Sequence, residues 1–244
     1  MIMNLKYNIK NLQQTREELK KNGFALIKYS HDHVHSYPYD APWLEDTEFC
    51  KLFEIIKNNT LIDRVRCYSI YCLAYQVRDL SGEVLEVGVW RGGSAGILTT
   101  CLPKKTIFLA DTFDGVVKSS EWEHYQNGVH KDTNLNLVEQ FLQFSLGVNN
   151  YHVLEGVFPD QTESYIMGNQ WSFVHIDVDV YLSAKGVFYS IWDSVVPGGI
   201  VVFDDYGFFT ACNGIKRFIE EICFDKDKLF IHNLNGHAYI IKRY

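Results

Sequence analysis

Five short apolar runs, each leading into an acid or a glycine, constrain this chain most. They are EVLEV at 83–87, TIFLAD at 106–111, YHVLEG at 151–156, SFVHID at 172–177 and IVVFDD at 200–205. Helical spacing fills the gaps between them: after Gly92, at 134–146, briefly after Pro159, at about 181–194 and at 211–223. Pro197-Gly198-Gly199 reads as a turn before the fifth run. Strands apolar along their whole length need cover on both faces, and strands alternating with helices build a parallel sheet. The segment KLFIHNLNGHAYIIKRY holds two more β runs around Asn235-Gly236, a hairpin signal that predicts an antiparallel edge strand. The expected fold is α/β: a doubly wound, mostly parallel, Rossmann-like sheet of about seven strands over residues 81–244. Residues 1–80 carry helical patterning and aromatic-rich stretches, and are expected to form a helical extension or cap.

Bulk properties exclude several function classes. The net charge is -7 and no Lys/Arg-rich stripe occurs, which argues against nucleic acid as a partner. That acidity reflects either a soluble surface or carboxylates gathered at a cation site. Cys50, Cys67, Cys72, Cys101, Cys212 and Cys223 form no C-x-x-C pair and read as reduced thiols of a cytoplasmic protein. The opening MIMNLKYNIKNLQQTREELKK is too polar for a signal peptide, and no run reaches the roughly 18 apolar residues of a membrane span.

Doubly wound sheets bind ligands beyond the carboxyl ends of their strands, so strand ends carry the functional reading. The first strand runs into Glu86, Gly88, Arg91, Gly92, Gly93 and Ser94, a glycine-rich turn onto a helix N-terminus. Such a turn lets backbone approach a ligand closely, or serves packing alone. It lacks G-x-G-x-x-G spacing, which counts against a nicotinamide-dependent oxidoreductase. The second strand ends at Asp111-Thr112, where an acid either holds both hydroxyls of a ribose or caps a turn. The third ends at Gly156 and Phe158, a position that shapes an adenine slot or an ordinary turn. The fourth and fifth end at Asp177 and at Asp204-Asp205. As neighbours in the sheet, these ends bring three carboxylates within a few ångströms. Mutual repulsion is relieved by a hard divalent cation such as Mg²⁺, by an extra proton, or by capping of the next segment. His175 is expected to point away from this site or into the core, and His31, His33 and His35 to lie in a polar segment without a metal.

EVGVWRGGSA, ADTFDG, HIDVDVY, PGGI and FDDYG, in this order, resemble the macrocin O-methyltransferase family over roughly residues 40–244. The resemblance implies a class I methyltransferase fold, S-adenosylmethionine and Mg²⁺ or another hard divalent cation as cofactors, and methylation of a sugar hydroxyl on a natural product or polysaccharide. It makes Asp177, Asp204 and Asp205 the metal ligands. Asp111 then holds the ribose; Glu86, Gly88 and the Arg91–Ser94 turn surround the methionine part; Gly156 and Phe158 flank the adenine; Thr60 touches the cofactor. Related catechol-type enzymes carry a lysine three residues after the first metal aspartate. Here that residue is Val180, which points from a catechol toward a sugar and leaves Asp177, or another carboxylate at the metal, as the base. An acceptor on a non-sugar hydroxyl and a non-catalytic S-adenosylmethionine-binding subunit are the alternatives; the complete acid set argues against the second. Asp204→Asn is expected to abolish metal-dependent activity while cofactor binding persists. Val116–Thr133, with Trp122, His124, Tyr125 and His130, is expected to form a lid over the small-molecule or glycan acceptor. Tyr37, Tyr39 and Trp43 suit the acceptor wall or the contact of a homodimer.

Overall fold

The computed structural model describes residues 41–207 and 213–244. His31, His33, His35, Tyr37, Tyr39 and Cys212 lie outside the described residues. Pro42–Tyr244 forms one compact unit. It opens with helices α1 (Pro42–Glu45), α2 (Thr47–Ile56) and α3 (Arg64–Val77). An aspartate starts each of the last two. Asp46 accepts from Phe49 N and Asp63 from Val65 N, both at 2.9 Å, so donors with no partner inside the helix are satisfied.

Seven strands follow: β1 (Glu83–Val87), β2 (Ile107–Asp111), β3 (Tyr151–Glu155), β4 (Trp171–Ile176), β5 (Val195–Phe203), β6 (Lys228–His232) and β7 (Ala238–Lys242). Their order is β3-β2-β1-β4-β5-β7-β6. The pairs among β1 to β5 are parallel, and β7 runs antiparallel to both its neighbours. This is the mostly parallel, doubly wound sheet expected, with strand order reversing between β1 and β4.

Two local expectations change. The antiparallel strand is not at the edge: β6 takes the edge, and β7 turns back to fill the gap left between β5 and β6. Pro197-Gly198-Gly199 does not precede the fifth strand but lies inside β5. Trp171 pairs with Val195 and Phe173 with Ile200, so the residues between bulge out of register, with Gly198 at φ +82°.

Alternation along the strands supplies two cores. Val84, Ile107, Leu109, Phe173 and Val202 face α2, α3 and α4 (Gly93–Cys101). Leu85, Val174, Ile176, Val201 and Phe203 face α6 (Tyr181–Ile191) and α7 (Asn213–Ile222). Each fully buried aliphatic or aromatic side chain contributes about 1.5–3 kcal/mol. Between them, α5 (Leu135–Gln140) continues as a π-helical stretch, Phe141–Ser145, over the predicted helix at 134–146. Among the described residues no helix is long and apolar enough to cross a membrane.

Candidate active site

A cavity of about 360 Å³ opens where β1 and β4 part, within the size range of small-molecule sites. At one end lies the glycine turn. Gly88 has φ +90°, and a Cβ built there would sit 1.8 Å from the Asp177 carbonyl oxygen. Asp111 organises this turn from β2. Its Oδ2 accepts from Val89 N at 2.7 Å and Trp90 N at 2.8 Å, and its Oδ1 from Phe113 N at 2.7 Å. Asp111 thus has the capping role that one reading gives it, and it also lines the cavity. Thr60, Gly88, Ser94 and Thr112 line the same end, and Gly156 and Phe158 close it from β3.

Three residues expected at the cofactor stand off the cavity wall. Glu86 is fully buried beneath it, where β1–β4 register puts it opposite His175, and Oε1 lies 2.8 Å from His175 Nδ1. Arg91 turns outward, stacks on Trp90 at 4.5 Å and pairs with Asp132 at 2.6 Å. Gly92, at φ +85°, starts α4 and faces Val138 and Phe141. None of the three lines the cavity itself.

At the other end Asp177, Asp179, Asp204 and Asp205 all line the cavity. Asp204 is buried and held by both oxygens. Oδ2 accepts from Arg66 Nη1, and Oδ1 lies 2.7 Å from His237 Nε2. Arg66, only 2% exposed, is held in turn by Asp63, whose Oδ2 accepts from Nε at 2.7 Å. Burial alone would raise the Asp204 pKa, but His175, His237 and Arg66 together bring it well below the usual carboxylate range. Asp177 moves the opposite way. Burial, then Asp204, Asp205 and Asp179, push its carboxyl well above the ordinary value, and Arg66 offsets this only in part. Asp179 is raised by burial and by Asp205 and Asp204, against a hydrogen bond with Tyr125. One ligand atom each from His175, Asp177 and Asp204 lies within 4.8 Å of the others. Asp205 lines the cavity without joining that trio.

Residues 58–228 match the family model described as macrocin-O-methyltransferase (TylF). The chain belongs to this family. Mycinamicin III 3''-O-methyltransferase of Micromonospora griseorubida is 29% identical over 166 residues, which cover 61% of this chain and 65% of that one. The 8-demethyl-8-(2,3-dimethoxy-alpha-L-rhamnosyl)-tetracenomycin-C 4'-O-methyltransferase of Streptomyces olivaceus is 27% identical, over 58% of this chain and 59% of its own. The chain thus spans less than two thirds of the length of these relatives. Among solved structures, the O-methyltransferase NovP superposes with TM-score 0.63 at 22% identity, covering 76% of this chain and 83% of NovP. The calicheamicin methyltransferase CalS11 gives 0.59 at 17% identity, covering 88% and 99%. At such identities these two show the shared fold.

Within this member of the family, several residues at the site escaped the sequence reading. His175 is buried in the core, as one of its two readings has it, but on the side of the acids rather than away from them. Residues two apart on a strand share a face, so His175 and Asp177 lie on the same side, and alternation rightly applied would have placed it. Asp179 comes to the cavity through a left-handed backbone, φ +64°, which no pattern in the sequence announces. Arg66 and His237 reach Asp204 across 138 and 33 residues. Tyr125 and His130, which the sequence reading does name, line the cavity from the 116–133 segment. Glu123 fastens that segment: its oxygens accept from Ser120 N at 2.9 Å and from Tyr181 N at 2.7 Å, capping α6.

His175 yields a pH prediction. Burial opposes its charge, but contacts with Asp204 and Glu86 prevail and raise its pKa to about 9. A raised histidine stabilises fully below its unfolded pKa and loses that contribution as pH rises through the folded value. In EDTA, unfolding free energy is expected to fall between about pH 6.5 and 9, and His175→Gln to flatten that slope. Urea titrations across this window check it; equal slopes in both proteins would count against the assignment.

Proposed function

We propose that this chain is a metal-dependent O-methyltransferase that moves the methyl group of S-adenosylmethionine to a sugar hydroxyl of a natural product or surface polysaccharide. One observation carries the reading: a single cavity joins a glycine turn held by Asp111 to four clustered carboxylates. Gly88, Ser94 and Thr60 would enclose the methionine part, Asp111 and Thr112 the ribose, and Gly156 and Phe158 the adenine. The rhamnosyl group in one relative's name supports a sugar acceptor, and Val180 withholds the lysine of catechol-type enzymes. The free thiols among the described residues support a cytoplasmic setting.

The acid end fits a divalent cation. Its carboxylates outnumber the positive groups facing them, and the raised Asp177 and Asp179 register that surplus. Arg66 and His237 engage one lone pair on each Asp204 oxygen, and a carboxylate offers about four such sites. Asp177, Asp204 and Asp205 would hold the ion, which would supply Lewis acidity toward an acceptor hydroxyl. The protein's share is alignment and proton transfer. The cavity walls would set the hydroxyl oxygen in line with the sulfonium methyl, an arrangement that supplies several kcal/mol. Bound S-adenosylmethionine would supply the electrophilic methyl group and leave as S-adenosylhomocysteine, and Asp177 or Asp179 would accept the hydroxyl proton.

Titration calorimetry with S-adenosylmethionine, with Mg²⁺ and with EDTA, tests this reading. Saturable binding of S-adenosylmethionine in both is expected, and binding of NADH in its place would overturn it. Asp177→Asn is expected to abolish Mg²⁺ binding, whereas Asp179→Asn keeps it.

A further inference from the structure

The C-terminal hairpin reaches beneath the acid site. Its Asn235-Gly236 turn delivers His237, fully buried, with Nε2 2.7 Å from Asp204 Oδ1. An ionised carboxylate only accepts, so Nε2 carries a proton. Arg66 already bonds the other oxygen of Asp204, and His175 Nε2 stands 3.9 Å from the same Oδ1. In the ring tautomer that carries its proton on Nε2, Nδ1 accepts. Nδ1 faces the Tyr239 hydroxyl at 3.4 Å, which therefore donates, and Tyr239 in turn accepts from Asn233 Nδ2 at 2.6 Å. The donors run one way, from Asn233 through Tyr239 and His237 to Asp204.

This relay is anchored at both ends. Asn233 N donates to the His237 carbonyl at 3.0 Å, and Asn235 Oδ1 accepts from His237 N at 3.0 Å. Asn235 Nδ2 donates to Ser69 Oγ at 2.9 Å, tying the hairpin to α3, the helix that carries Arg66.

We propose that His237 is a positioning residue for the cation site: with its tautomer set by Tyr239, it fixes the Asp204 carboxylate in the orientation that presents its remaining lone pairs to a divalent ion. The proposal rests on the cation reading above. Loss of the ring removes the contact that orients Asp204 Oδ1, and the expected sign is weaker binding. Partners of this kind behind a metal ligand typically change affinity by about 10–100-fold.

The probe is Mn²⁺ alone, titrated into full-length protein and followed by the paramagnetic signal of the free ion. His237→Ala is expected to bind Mn²⁺ at least tenfold more weakly than wild type, with S-adenosylmethionine affinity by calorimetry unchanged. His237→Gln keeps an N–H at the Nε2 position and is expected to recover most of the Mn²⁺ affinity. Should His237→Ala fail to fold, Tyr239→Phe carries the test; it keeps the ring but frees the tautomer, and weaker Mn²⁺ binding is expected. Wild-type affinity in His237→Ala, or in Tyr239→Phe where that variant carries the test, overturns the proposal. So does a joint loss of Mn²⁺ and S-adenosylmethionine binding that His237→Gln does not repair. Wild-type protein that takes up no Mn²⁺ overturns the cation reading first, and the proposal with it.

Discussion

Gly88→Ala is expected to cost at least about 3 kcal/mol of stability, a large share of the roughly 5–15 kcal/mol of an ordinary domain. The added methyl carbon would lie 1.8 Å from the Asp177 carbonyl oxygen and 2.7 Å from its carbonyl carbon. Both are backbone atoms, so no rotamer change gives relief. Nor can the turn back away easily, since Gly88 N donates to Ala110 O and Asp177 N to Val87 O, each at 2.9 Å. Relief requires parting β1 from β4 at the switch point, which moves Asp177 and the turn together. Gly128→Ala is the control. Its φ of +82° imposes a comparable backbone penalty, but nothing lies within 4 Å of the new carbon. It should cost only about 1 kcal/mol. Urea denaturation midpoints separate the two; equal losses would show that backbone strain alone, not the β1–β4 approach, requires glycine at 88.

What the sequence discloses and what it conceals divide along a physical line. Strands apolar along their length and their intervening helices are local signals, and β1 occupies the predicted EVLEV run residue for residue. The strand ends that line the cavity follow from sheet topology, which places Asp111, Asp177, Asp204 and Asp205 at one edge before any contact is known. The misplaced residues are those whose role depends on a partner. Glu86 reads as a ligand-facing acid because nothing nearby in sequence announces His175. Arg91 reads as part of the cofactor turn because Asp132, its partner, belongs to a segment without helix or strand. Arg66 sits in a helix with weak apolar patterning, where an arginine suggests solvent. Its burial follows only once α3 is packed against the end of β5. The bulge in β5 belongs to the same class, since Pro-Gly-Gly marks a chain reversal locally and the pairing with β4 overrides it.

Two substitutions that each remove one carboxylate from the acid cluster are expected to move stability in opposite directions. In EDTA, Asp204→Asn should destabilise the protein by about 3–5 kcal/mol, the usual cost of stranding one member of a buried ion pair. Arg66 and Asp204 are 2% and 3% exposed by side chain, and His237 bonds the second oxygen. An asparagine keeps one acceptor oxygen and presents its NH₂ to the other donor, so the buried guanidinium loses the Asp204 counter-charge and keeps that of the half-exposed Asp63. The variant therefore does not isolate metal binding, because α3, which follows Thr60 on the cavity wall, loses its anchor as well. Asp177→Asn reverses the sign. The Asp177 carboxyl is raised by burial and by three neighbouring carboxylates, so neutralising it removes repulsion that the metal-free fold carries. Its stability in EDTA is expected to equal or exceed wild type, while Mn²⁺ binding is lost in both variants. Thermal unfolding in EDTA, beside Mn²⁺ titration of each, reads out both halves. If Asp177→Asn falls as far as Asp204→Asn, Asp177 is paired rather than crowded, and the electrostatic case for a cation at this site loses its main support.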